Sequence, residues 1–269
     1  MSLTTMDRWA RGLAWISFSL LRIRRRVILE NLEIAFGNEM SEAERLNIGK
    51  KSVYHFALTI LEFLRNLEHD PFSETEFHHR EHFIDALNLG HGIYGLCCHL
   101  GNWELMGGAG THYLTPTYAV VKPIENPGVN RLVDELRNKI GLHTISLKPP
   151  GHALRTICRE LKEGHMIGMI LDQRRRGAPA IPFFGKPART NTSLATLWLR
   201  FPAPIVPGYA RRIAPGKTVI EALPALDLKT TGDNEKDIIA LTTTFNEVIE
   251  SMIRRCPEQY FWMHNRWKL

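Results

Sequence analysis

The sequence predicts an α/β fold with a mostly parallel central sheet flanked by helices and a helical extension at the N-terminus. Two observations carry this. From about residue 92, short apolar runs alternate with amphipathic stretches of helical period. Two of those stretches close on a glycine, Gly141 and Gly164, as helices do. A third feature sets the question of function. In "GLCCHLGNWELMGG", residues 95–108, an apolar run stops at His99, and Asn102-Trp103-Glu104 opens a helix just past Gly101.

Taken in order, residues 27–37 read as a short connection. Ser41 then starts a helix, and Ser41 with Glu44 makes a capping box. Apolar residues recur at helical spacing from Leu46 to Leu64, and the helix ends near Asn66. The polar stretch 69–82 reads as a solvated loop, its histidines too irregularly spaced to suggest a metal. Strands are expected at 92–98, 117–122, 143–148, 165–172, 203–212 and 218–226. Helices are expected from Asn102, at 126–141, at 152–164, at 192–200, and from about Glu235 to Arg255. No repeat or low-complexity segment interrupts this order.

The 269 residues are 44% hydrophobic and 23% charged, enough apolar mass for one large domain. A net charge of +6 suits an anionic membrane surface, nucleic acid or an acidic partner alike. No nucleic-acid recognition motif is present, so nucleic acid is not expected as a partner. Cys97, Cys98, Cys158 and Cys256 form no CxxC and no zinc spacing, which points to free thiols in a reducing compartment.

The N-terminus carries "LAWISFSLL", residues 13–21, between Arg8 and Arg11 on one side and Arg22, Arg24, Arg25 and Arg26 on the other. The run is shorter than the ~20 apolar residues that span a bilayer. Arginines stand where a secretory signal would place its cleavage site. Residues 1–26 therefore read as a basic amphipathic, membrane-associating segment, with Trp9 and Trp15 suited to headgroup level. The alternative is an amphipathic helix packed on its own domain.

His99 sits where ligands gather in open α/β sheets, at the carboxyl end of a strand. On a straight helix, His99 and Glu104 would lie about 140° apart and not meet. If His99 is in the turn, the loop through Gly101 can fold them together, and Glu104 would hold one ring nitrogen while the other takes a proton from a hydroxyl. The bland alternative is a histidine cap with Glu104 favouring the helix dipole. GxSxG and HExxH are both absent, so neither a serine nucleophile nor a zinc site is expected.

"HLGNWELMG" resembles the His-x4-Asp/Glu motif of the bacterial lipid A biosynthesis acyltransferases, within the lysophospholipid-acyltransferase-like superfamily. Further blocks resemble that family in order: 120–141 with Asn126, Pro127 and Arg137, then 170–198 with its Asp-Gln and Phe-Phe-Gly, then 257–268. The likeness covers nearly the whole chain. It implies a glycerolipid-acyltransferase-like domain at 27–269, acting as an O-acyltransferase. A fatty acyl chain would pass from a thioester on acyl carrier protein, or from acyl-CoA, to a hydroxyl of a glycolipid acceptor, an acylated glucosamine lipid A precursor. No metal or cofactor is implied.

The resemblance makes His99 the general base and Glu104 its support. Backbone N–H groups near Gly101 and Asn102, or an arginine, would meet the oxyanion, which puts Asn102 among the substrate-binding residues. Arg137 and Arg189 are candidates for a lipid phosphate or the carrier's phosphopantetheine. Asp172 belongs to the site by resemblance, or else caps a helix or partners Arg174 to Arg176. Phe183, Phe184 and Trp198 line an acyl groove or pack in the core; Tyr260, Trp262 and Trp267 pack. The missing Glu-Gly-Thr-Arg block argues against a glycerol phosphate acceptor. The expected location is the cytoplasmic face of a bacterial inner membrane, peripherally or weakly anchored. Acylation of another glycolipid or an aminolipid, and an inactive membrane-surface binding protein, are the alternatives.

Overall fold

The computed structural model describes residues 1–268. The chain opens with α1 (Leu3–Ala14), a π-helical turn (Trp15–Leu20), α2 (Arg25–Phe36) and α3 (Glu42–Arg65). A short strand β1 (Thr75–His78) and α4 (Glu81–Leu87) lead into the alternating part: β2 (Ile93–Cys97), α5 (Trp103–Tyr113), β3 (Thr117–Val121), α6 (Pro127–Lys139), β4 (Leu142–Ser146), α7 (His152–Lys162) and β5 (Met166–Ile170). The hairpin β6 (Ala180–Phe183) and β7 (Lys186–Arg189) follows, then α8 (Ser193–Arg200), β8 (Ile205–Ala214), β9 (Lys217–Ala222) and α9 (Asn234–Arg255).

Seven strands form one sheet in the order β1-β9-β8-β2-β5-β3-β4. Every neighbouring pair is parallel except β8 with β9, which are joined by a tight turn at Gly216. Central strands β2 and β5 are apolar on both faces, as a parallel sheet covered by helices requires. The main core joins Leu96, Ile167 and Ile205 of the sheet to Phe245, Ile249 and Met252 of α9. This is the expected α/β fold.

Local signals produce the expected helix ends. Ser41 N donates to Glu44 Oε2 at 2.7 Å and Glu44 N to Ser41 Oγ at 3.3 Å, closing the capping box of α3. Asn126 Oδ1 accepts from the backbone N–H groups of Gly128 and Val129 at the start of α6, where Pro127 has no N–H to satisfy.

Three stretches differ from expectation. Residues 27–36 belong to α2 and Gly37 caps it, with Ile28, Leu32, Ala35 and Phe36 buried at helical spacing. Asn31 on the same face is also buried, because its amide donates to the carbonyls of Trp262 and His264 at 2.8 and 2.7 Å. That polar interruption hides the apolar stripe. The expected loop 69–82 contains β1, an edge strand whose alternate residues are exposed, and the start of α4. The hairpin β6–β7 lies outside the main sheet.

At the N-terminus, one face packs on the domain and the other is open. Met6 and Ala10 are buried against Leu58 of α3, and Phe18 joins the main core. The opposite face leaves Trp9, Leu13, Trp15, Ile16, Leu20 and Leu21 exposed. No helix among the described residues is long and apolar enough to cross a membrane.

Candidate active site

The register of the sheet builds the site. Cys97 of β2 faces Ile170 of β5, so two residues further on His99 and Asp172 face each other beyond the carboxyl ends of adjacent parallel strands. Asp172 Oδ1 lies 2.8 Å from His99 Nδ1, and its Oδ2 accepts the His99 backbone N–H at 3.2 Å. The Asp172 side chain is 1% exposed and that of His99 22%. Burial opposes the charged imidazolium, but the charge and hydrogen bond of Asp172 outweigh it and hold His99 above its ordinary value. Burial likewise works against the Asp172 carboxylate, and the His99 charge with its two hydrogen bonds keeps it below the usual range.

Nδ1 being held by Asp172, Nε2 is the remaining ring nitrogen of His99. The ring borders a cleft of about 840 Å³, with Gln173 Nε2 3.4 Å from Nε2. Trp103 and Phe261 set their rings 5.2 and 6.0 Å from the imidazole and keep its flanks apolar.

Glu104 does not hold the histidine. It binds Arg137 as a fork, Oε2 accepting from Nε at 2.9 Å and Oε1 from Nη2 at 2.7 Å. Both side chains line the cleft. The geometry of the turn explains the correction: α5 starts at Trp103, which sends Glu104 toward α6, and the space beside Nδ1 is filled by Asp172 from the neighbouring strand. Arg137 Nη1 has no protein partner among the described residues and is the free cationic donor of the pair.

The turn itself is locked. Gly101 has φ +61°, and a Cβ there would lie 1.7 Å from the Ala210 carbonyl oxygen. Gly101 N–H donates to Gln259 O and Asn102 N–H to Ala210 O, both at 3.0 Å. These two donors, expected at an oxyanion, are spent inside the fold. Asn102, expected at the substrate, is buried as the cap of α5: its Oδ1 accepts from Leu105 N at 3.1 Å and its Nδ2 donates to Glu62 Oε2 at 2.9 Å. Glu62 in turn holds the buried Arg212 through two hydrogen bonds, at 2.8 and 2.6 Å, and Thr59 Oγ1 donates to Gly101 O at 2.9 Å. α3 thereby fixes the turn that carries His99.

Arg189 does not reach the cleft; it donates to Ala178 O at 3.2 Å. Arg174 and Arg175 line the cleft instead. Phe183 and Phe184 are buried in the core against Trp267 and Trp262, and Trp198 donates to Ala203 O at 3.0 Å. The long wall of the cleft lies elsewhere. Gly95, Gly168 and Ala119 stand side by side across β2, β5 and β3, and all three line the cleft. The row of minimal side chains hollows the sheet face. The cleft continues to Thr117, Leu142 and Met166 at the opposite ends of the strands.

Burial pushes the Cys97 thiol up to about 12 and Cys98 well above its ordinary range, with the Asp172 charge adding to both, so neither is a thiolate nucleophile. His79, Glu81 and His82 bring ligand atoms within 4.8 Å of one another at the start of α4, closer than their spacing suggested.

A histidine held by a buried carboxylate thus stands beside a largely apolar cleft that also holds a paired arginine. The whole chain, residues 1–269, matches the sequence profile of the bacterial lipid A biosynthesis acyltransferases, and it belongs to that family. It is 27% identical over 271 residues to the lipid A biosynthesis lauroyltransferase of Escherichia coli strain K12, covering 96% of this chain and 83% of that protein. It is 25% identical over 191 residues to the lipid A biosynthesis palmitoleoyltransferase of the same organism, covering 70% of this chain and 54% of that protein. The same figures hold for the lipid A biosynthesis acyltransferase of Shigella flexneri.

Proposed function

We propose that the chain transfers a fatty acyl group from a thioester on acyl carrier protein to a hydroxyl of an acylated glucosamine lipid, with His99 as general base. The observation that carries this is the His99–Asp172 contact of 2.8 Å at the mouth of an apolar cleft. The acceptor O–H gives its proton to His99 Nε2 as its oxygen attacks the thioester carbonyl carbon. Asp172 holds the ring and supports the imidazolium that forms. The carbonyl oxygen becomes an oxyanion, and Arg137, fixed by Glu104, is the cation that meets it. The C–S bond then breaks, and the proton on His99 passes to the leaving thiolate. No acyl-enzyme is required, which fits the absence of an activated cysteine beside His99.

The trough over Gly95, Gly168 and Ala119 holds the acyl chain, and Arg174 and Arg175 face the anionic part of a substrate. Residues 1–26 form the membrane-associating segment and residues 27–269 the acyltransferase domain. The exposed face of Trp9, Leu13, Trp15, Ile16 and Leu20 rests on the cytoplasmic surface of an inner membrane, flanked by Arg22, Arg24 and Arg26. The test is transfer by the purified protein from acyl carrier protein to an acylated glucosamine lipid, read by mass spectrometry. A product heavier by one acyl chain is expected with wild type and none with His99→Ala. No transfer by the wild type from acyl carrier protein or acyl-CoA overturns the proposal.

A further inference from the structure

A second cavity, of about 540 Å³, lies between the π-helical turn and α3. Lys50, Lys51, His55 and Arg11 line it together with Trp15, Ser19 and one carboxylate, Glu258. Its charges are unequally committed. Arg11 is bound to Asp7 at 2.8 Å and lies over the Tyr54 ring. Lys50 and Lys51 are exposed and have no ion-pair partner among the described residues. Arg212, at the back, donates to His55 Nδ1 at 3.1 Å. A guanidinium cannot accept a hydrogen bond, so the His55 proton sits on Nε2. Burial first, then the Arg212 and Lys51 charges, press His55 down to about 3, so its ring is a neutral donor.

We propose that this cavity seats the phosphate of one anionic phospholipid, with Lys50, Lys51 and the His55 Nε2–H as its donors. The lining is specific: Lys50, Lys51 and His55 share one cavity with Trp15, which is 61% exposed next to an apolar face. A headgroup held there leaves its acyl chains beside Ile16 and Leu20. The back wall is rigid, because Arg212 also binds Glu62, which holds the cap of α5. The lipid therefore fixes the height of the catalytic turn above the bilayer. This inference rests on the membrane-surface reading of residues 1–26 and adds a stoichiometric site to it.

The experiment has two arms, both on the full chain. In the first, flotation compares phosphatidylcholine vesicles with and without phosphatidylglycerol for wild type, Lys50→Gln/Lys51→Gln and Arg22→Gln/Arg24→Gln. Each pair removes two exposed, unpaired charges, so diffuse attraction predicts equal losses. The site predicts that the lysine pair loses on the order of tenfold more of the phosphatidylglycerol preference than the arginine pair. In the second arm, dihexanoyl phosphatidylglycerol below its micelle concentration is titrated while the His55 ring is followed by NMR. Saturation at one lipid per chain, with the His55 pKa raised, is expected, and the lysine pair should abolish it. Equal losses in the first arm together with no saturation in the second overturn the site and leave the membrane reading standing. Saturation without any vesicle binding upholds the site and overturns the membrane reading. An equal response to inorganic phosphate at the same concentration overturns the lipid as ligand.

Discussion

Asp172 grips His99 at two points, Oδ1 at 2.8 Å from Nδ1 and Oδ2 accepting the backbone N–H at 3.2 Å, because the two residues are in register across β2 and β5. Asp172→Asn removes the charge and puts an amide against Nδ1. The kcat is expected to fall by about 10²–10⁴. The pH dependence has a definite sign. His99 must be neutral to act as base, and Asp172 raises its pKa. The acidic limb of kcat/KM in the wild type therefore lies above the ordinary histidine value of about 6.5. Burial remains in the Asn variant while the raising charge is gone, so its acidic limb moves down. A pH-rate profile of both proteins checks this, and an unmoved limb contradicts the pairing.

Glu104 and Arg137 are mostly buried, at 14% and 18% exposed, so removing either strands the other. Glu104→Ala is expected to destabilise by about 3 kcal/mol. Arg137→Ala costs a similar amount, and Glu104→Ala/Arg137→Ala less than the sum. Activity is expected to behave differently: the double variant should stay at least ~10²-fold below wild type, because the cation proposed to meet the oxyanion is gone. Urea denaturation and initial rates on the four proteins separate the two roles.

Gly168 has an ordinary strand backbone, and a Cβ there meets only the Tyr118 carbonyl oxygen at 3.7 Å. Gly168→Val is therefore expected to fold, with stability changed by roughly 1 kcal/mol. Its methyls fill the trough between Gly95 and Ala119. Competition between acyl carrier proteins charged with different chain lengths should show a shift toward shorter chains. An unchanged preference places the acyl chain elsewhere.

Gly101 allows no such freedom. Gly101→Ala meets both the left-handed backbone at φ +61° and the Ala210 carbonyl at 1.7 Å. A loss of more than ~2 kcal/mol and of nearly all activity is expected. Thermal unfolding and the transfer assay measure the two losses on one preparation.

The alternating strands and helices were legible because the apolar period and the caps agree. Ser41 with Glu44, and Asn126 with Pro127, each announce a helix start that the structure confirms. α2 was not legible, since buried Asn31 breaks its apolar stripe and is satisfied only by carbonyls more than two hundred residues away. In the site, His99 could be found from its place at a strand end. Its partner could not be chosen from spacing, because Glu104 is near in sequence while Asp172 is near only through strand register. Asn102 and Arg189 looked available for substrate, but Glu62 and Ala178 claim their donors. The trough was invisible for a related reason: Gly95, Gly168 and Ala119 come from three strands, and only the pairing places them in one row.

The most direct test of the central claim is single-turnover acyl transfer from acyl carrier protein to an acylated glucosamine lipid, followed by mass spectrometry, for wild type, His99→Ala, Asp172→Asn and Glu104→Gln. Product is expected with wild type, none with His99→Ala, and a deficit with Asp172→Asn whose acidic limb has shifted down. Glu104→Gln should be slowed with its acidic limb much closer to that of the wild type. Transfer at the wild-type rate by His99→Ala, or an unimpaired Asp172→Asn, would rule out His99 as the base held by Asp172.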